Sequence, residues 1–123
     1  MIGALPWIGM AAAGAAGAYA RFSVAAAITA RRPGSFPWGT FVVNLTGGFA
    51  LGVLTGAGIG GDALFIVGTG FMGGYTTFST WMVEAQRLGE DAELGLMLLY
   101  LLGSMAAGLA TTGAGWALAG ALS

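Results

Sequence analysis

The groups with chemistry to offer gather between Gly70 and Trp81, a stretch reading GFMGGYTTFSTW. Gly73 and Gly74 are poor helix formers, and the hydroxyls of Thr76, Thr77, Ser79 and Thr80 bond locally to backbone. The composition predicts a helix interrupted on purpose, with the carbonyls of Gly73 and Thr76 freed and able to face a cation. Phe78 and Trp81 follow, three apart on one helical face. Such a pair either packs apolar surface or turns the positive edge of a ring quadrupole toward an anion, a grip weak enough for the anion to leave again. Ser79, between them, adds a hydroxyl donor.

Two further constellations lie elsewhere in the chain. Tyr100, Ser104, Gly108 and Thr112 fall at four-residue steps. Their hydroxyls either satisfy carbonyls one turn back or give a dehydrating anion replacement donors along a wall. Arg21, Thr40, Asn44 and Glu84 converge at one level if their helices run up and down, and Arg21, Thr40 and Glu84 would line a vestibule. Arg21 either snorkels to the interface or attracts anions, and Glu84 also reads as a solvated helix-end charge. Asn44, an amide inside a spanning helix, is either glue between helices or a ligand contact.

Positioning these groups falls to membrane helices. No charged residue stands between Asp62 and Glu84, a run long enough to cross a hydrocarbon core of roughly 30 Å. Across 123 residues, 57% are hydrophobic and 7% charged, against about 25% charged in soluble domains; mean hydropathy is +0.84. Reading apolar runs against charges and turns gives four spans in a single domain covering 1–123: about 4–30, 38–59, 63–85 and 94–122. The first carries no basic residue from Met1 to Gly17, which argues for a true helix over a secretory signal. Freed carbonyls in the third span cannot face lipid and must be covered by protein or line a wet cavity.

The same composition removes several classes of function. With no cysteine and no histidine, disulfides, thiolate chemistry, imidazole bases and the usual zinc sites are absent, and the chain does not read as an enzyme. A net charge of −1 provides no basic face for nucleic acid. Gly68, Gly70 and Gly73 satisfy G-x-G-x-x-G with Glu93 beyond, but no βαβ unit can be built from a membrane span, so the dinucleotide reading fails.

Glycine spacing predicts close helix packing. Gly48, Gly52, Gly56 and Gly60 recur every four residues, as do Gly9, Ala13 and Gly17 in the first span and Gly103, Ala107 and Thr111 in the fourth. Four helices make a thin bundle, which favours oligomerisation. Arg31, Arg32 and Arg87 fall on one side, a bias small enough to permit insertion in either direction or a partner of opposite orientation.

Three motifs, GAYAR ending at Arg21, GTFVVNLTGGFALG around Asn44 and GFMGGYTTFST, occur in this order. Together they resemble the Fluc fluoride channels, also called the CrcB family. The resemblance implies an all-α integral membrane protein whose third helix is broken, assembled as an antiparallel, dual-topology dimer with two pores. It implies a fluoride pathway through Asn44, Phe78, Ser79, Trp81, Tyr100, Ser104 and Thr112. It also implies a structural sodium ion at the dimer axis, held by carbonyls of Gly73 and Thr76 from both subunits. Trp81 stands where the family has a second phenylalanine, and Gly108 where its polar track has a hydroxyl. The implied partners are fluoride, the lipid bilayer, and a second subunit in a homodimer or a heterodimer with a homologous chain. The implied role is passive fluoride exit across the plasma membrane, giving fluoride resistance. A small proton-coupled multidrug exporter shares the length and four spans but needs a membrane-embedded carboxylate, whereas the first span carries only Arg21. A non-conducting partner subunit of a heterodimeric channel is the other alternative.

Overall fold

The computed structural model describes residues 3–122; the expected domain, 1–123, extends at residues 1, 2 and 123 outside the described residues. Every regular element among the described residues is helical. Helix α1, Ala4–Arg31, ends at Arg32, whose φ of −127° and ψ of 72° leave the helical region, which is disfavoured for a residue that precedes proline. Helix α2, Trp38–Gly56, starts after Pro37. It stops short of Ile59 because the chain turns left-handed at Gly58, φ +77°. The Ile59 N–H bonds the Leu54 carbonyl at 3.0 Å and the Gly58 N–H bonds that of Thr55 at 3.1 Å, the paired bonds of a Schellman stop.

A continuous helical segment, α3, occupies 61–75. It begins with Gly61–Ala63, widens into nine residues of π-helix over Leu64–Met72, and closes with Gly73–Tyr75. Long π ladders are rare and persist where packing imposes them. Here Gly70 and Gly74 press their backbone onto α1: a Cβ on Gly70 would lie 2.8 Å from the Met10 oxygen, and one on Gly74 would collide with the Gly14 oxygen. The ladder then stops. Thr76 is extended, φ −80° and ψ 158°, and regular structure resumes with α4, Ser79–Glu90. Helix α4 runs five residues beyond the expected end at Ala85 and finishes in another Schellman stop. There the left-handed residue is Ala92, φ 58°. Helix α5, Leu94–Leu122, completes the chain.

Helices α1, α2 and α5 are long and apolar enough to cross a membrane. With 12 residues, α4 reaches only about 18 Å. Large apolar side chains such as Leu5, Phe22, Leu102 and Leu109 lie exposed along α1 and α5, the arrangement of a protein whose solvent is lipid. It is a membrane protein.

The tightest packing runs along α2 and α5. A Cβ on Gly52 would collide with the Thr112 oxygen, one on Gly56 with that of Trp116, and one on Gly115 with that of Phe49. The expected Gly103 ridge of α5 is not where this approach occurs. A Cβ there would meet only Leu99 of its own helix, at 3.9 Å, because the two backbones touch more than two turns further along, at 112–116. Gly60 lies beyond the end of α2 and meets nothing within 4 Å. Where α4 meets α5, Ala85, Leu88 and Tyr100 form a small core with Phe36, Phe41 and Trp81 against it.

Candidate functional site

The extended link between α3 and α4 is held from outside itself. Asn44, on α2, donates from Nδ2 to the Thr77 carbonyl at 2.9 Å, and its Oδ1 accepts from the Thr77 N–H at 2.8 Å. One amide side chain thus replaces both backbone bonds that Thr77 loses by leaving the helix. On the α3 side, the Thr76 N–H and Oγ1 both donate to the Met72 carbonyl, at 2.9 and 3.0 Å. On the α4 side, the Thr77 hydroxyl accepts from the Thr80 N–H at 3.2 Å. Among the described residues, the carbonyls of Gly73 and Thr76 accept no hydrogen bond, and a Cβ on Gly73 would meet nothing within 4 Å. Two carbonyl oxygens that accept no hydrogen bond are chemically suited to a hard monovalent cation.

Beside this link runs a groove of about 380 Å³ lined by Asn44, Trp81, Ser104, Gly108, Thr112 and the apolar Met105 and Leu109. Its polar groups are uncharged. Asn44 spends one Nδ2 hydrogen on Thr77 and keeps the other, since an amide nitrogen carries two. The Trp81 Nε1 and Ser104 Oγ are buried without a partner. The groove unites four of the sequence-predicted pathway residues and leaves three outside. Phe78 is 69% exposed and meets Trp81 edge to face, ring centroids 5.6 Å apart at 73°. Ser79 is exposed on the first turn of α4. Tyr100 is fully buried and donates its hydroxyl to Glu84 Oε1 at 3.0 Å.

A second cavity, about 560 Å³, lies across the link. Arg21, Thr40 and Glu84 all line it, with Phe22, Thr77 and Thr80 among its other walls. Arg21 Nε is buried and unpartnered. Asn44 faces the groove and not this cavity; Thr77, bonded to Asn44 and lining the cavity, separates the two spaces. Glu84 also borders a smaller hollow of about 280 Å³ with Arg32, Trp38 and Arg87.

Residues 8–116 match the family model described as CrcB-like protein, Camphor Resistance (CrcB). The chain belongs to the CrcB family. It is 46% identical over 104 residues to the fluoride-specific ion channel FluC 2 of Mycobacterium tuberculosis, covering 85% of this chain and 82% of that one. It is 45% identical over 105 residues to FluC 2 of Haloarcula marismortui, covering 85% and 86%. With FluC 1 of Leifsonia xyli it shares 42% over 117 residues, covering 92% and 85%. These CrcB relatives are named as channels, and the chain is not an enzyme.

Thr77 is the site residue that spacing alone does not single out. It is one hydroxyl among four between Thr76 and Thr80, and its partner lies 33 positions away. The available signal is chemical: an amide deep in one apolar helix and a stretch unable to keep its ladder in another each lack what the other offers. Tyr75, whose hydroxyl lies 2.9 Å from Thr46 Oγ1, is a second tie between α2 and the end of α3.

Proposed function

We propose that the chain is a subunit of a passive, fluoride-selective channel of the plasma membrane, with the groove beside the link as its ion path. The observation that carries this reading is a groove rich in neutral donors and free of carboxylates and cations, in a chain whose relatives are named fluoride-specific channels. Fluoride holds its water tightly, so a pathway must give back hydrogen bonds as water is removed. The second Nδ2 hydrogen of Asn44, the Trp81 N–H and the hydroxyls of Ser104 and Thr112 do this without a full positive charge that would trap the ion. The edges of Phe78 and Trp81 add weak attraction, and Ser79 a hydroxyl at the end of the link. Arg21 and Thr40 draw anions into the vestibule, while Tyr100 holds the Glu84 carboxylate aside.

In this reading α3 and α4 together make a fourth, broken span, and the active unit is an antiparallel dimer. The groove is open along one side, and its buried donors cannot be left to hydrocarbon; a second copy or a homologous chain covers them. Sodium, held by the Gly73 and Thr76 carbonyls of both subunits, supplies a fixed positive charge at the links. Export needs no coupling: fluoride enters as neutral HF, ionises inside, and leaves down its gradient, so its exit alone confers resistance.

Purified protein reconstituted in liposomes loaded with fluoride should release it on opening a potassium shunt. Release no faster than from empty vesicles, at a density where dimers are present, refutes the proposal. Recovery of release only on adding a homologous subunit selects the heterodimer, and crosslinking between topology-tagged copies reads the orientation directly.

A further inference from the structure

Among the described residues, three side-chain polar atoms are buried with no hydrogen-bond partner, and two of them, Trp81 Nε1 and Ser104 Oγ, belong to walls of the same groove. Leaving a buried donor unpaired is unfavourable, and native proteins avoid it unless something else completes the bond. For Ser104 the easy escape is a carbonyl of its own helix. Thr46 takes those of Val42 and Val43, Thr55 those of Leu51 and Gly52, and Thr111 that of Gly108. Ser104 does not. The indole N–H of Trp81 can only donate, and Asn44 Oδ1, which accepts from the Thr77 N–H, does not accept from it. Of the other groove side chains, Met105 and Leu109 offer no oxygen, and the Thr112 hydroxyl bonds neither donor.

The Trp81 ring is also fixed before any ligand arrives. One side packs against the core of Ala85, Leu88 and Tyr100, and Phe78 meets it edge to face. A donor with so few alternatives loses little freedom on binding.

Resting on the channel reading above, we propose that Trp81 and Ser104 form a two-donor seat for the permeating anion, in which the indole N–H of Trp81 is the specificity-determining contact. A small anion concentrates its charge and accepts a hydrogen bond more strongly than a larger one of equal charge. One fixed N–H therefore favours fluoride over chloride and lengthens its stay.

The test compares the parent with Trp81→Phe and with a protein carrying 3-benzothienylalanine at position 81, which keeps the indole's shape and replaces N–H by sulfur. Binding is read from saturable broadening of the fluorine-19 line of sodium fluoride by detergent-solubilised protein, at constant sodium with gluconate as the replacement anion. Flux is read from liposomes as half-saturating fluoride and as the fluoride-to-chloride ratio. Both proteins lacking the N–H should show half-saturation raised about tenfold or more, the size of one hydrogen bond to a charged acceptor, and a lower ratio. Ser104→Ala should weaken binding in the same direction. A benzothienyl protein within twofold of the parent overturns the proposal, whatever Trp81→Phe does, and so does a parent with no fluoride-dependent broadening. A parent that binds but does not conduct overturns the channel reading, and the seat then stands or falls on the binding series.

Discussion

Replacing Asn44 by alanine should open the link between α3 and α4 more than any other single change in the groove. In the folded chain its amide makes two bonds, 2.9 and 2.8 Å, to the carbonyl and N–H of Thr77, a residue only 7% exposed. Counted as neutral bonds exchanged with water, the pair is worth about 1 to 3 kcal/mol. Counted as two buried backbone groups left without partners, the loss is about 2 to 6 kcal/mol. The upper range applies, because the extended backbone at Thr76 is held where it is, with Gly74 wedged against Gly14 and the Thr76 side chain packed onto the bare backbone of Gly47. The direct measurement is amide hydrogen exchange at Thr77 in detergent or nanodiscs. Each 1.4 kcal/mol lost from local opening lowers protection about tenfold, so exchange should speed up by one to four orders of magnitude, with amides in the middle of α5 unaffected. Unchanged Thr77 protection together with unchanged thermal stability would show that the amide does not hold the link, and that the groove reading rests on the wrong anchor.

Three more outcomes follow from the geometry. Gly52→Ala should abolish or sharply reduce folded protein, since its methyl would collide with the Thr112 oxygen. Gly113→Ala, one residue on from that contact but on an open face, should raise thermal stability by about 0.5 to 1 kcal/mol through helix propensity; equal effects of the two would contradict the packing. Ala92→Gly should stabilise by about 1 to 2 kcal/mol, because Ala92 sits at φ 58° where a Cβ is penalised; a fall in melting temperature would refute it. Exchanging sodium for N-methylglucamine should lower the melting temperature of the reconstituted protein and loosen the proposed dimer if the Gly73 and Thr76 carbonyls hold the ion, and indifference to sodium removes that ion from the account.

Composition and motif order were enough to establish a helical membrane protein of the CrcB family, because burying apolar surface in lipid and satisfying backbone within helices depend only on what each segment contains. The choice of Asn44 as a polar residue with a purpose was also legible, since an amide in an apolar helix must find a partner. Which partner it finds was not, for Thr77 lies in the link beyond α3 and the distance between them is set by how α2 and α3 cross. Tyr100 illustrates the same limit. Four-residue spacing puts it in line with Ser104 and Thr112, yet the packing of Phe36 and Leu88 around its ring draws it into the core and its hydroxyl to Glu84. Glycine spacing announced close helix contacts, but only the crossing of α2 and α5 decided that Gly115 meets α2 while Gly103 does not. Periodicity along one helix records which residues share a face; the partner each face meets depends on contacts between segments far apart in the chain, and those exist only once the helices have packed.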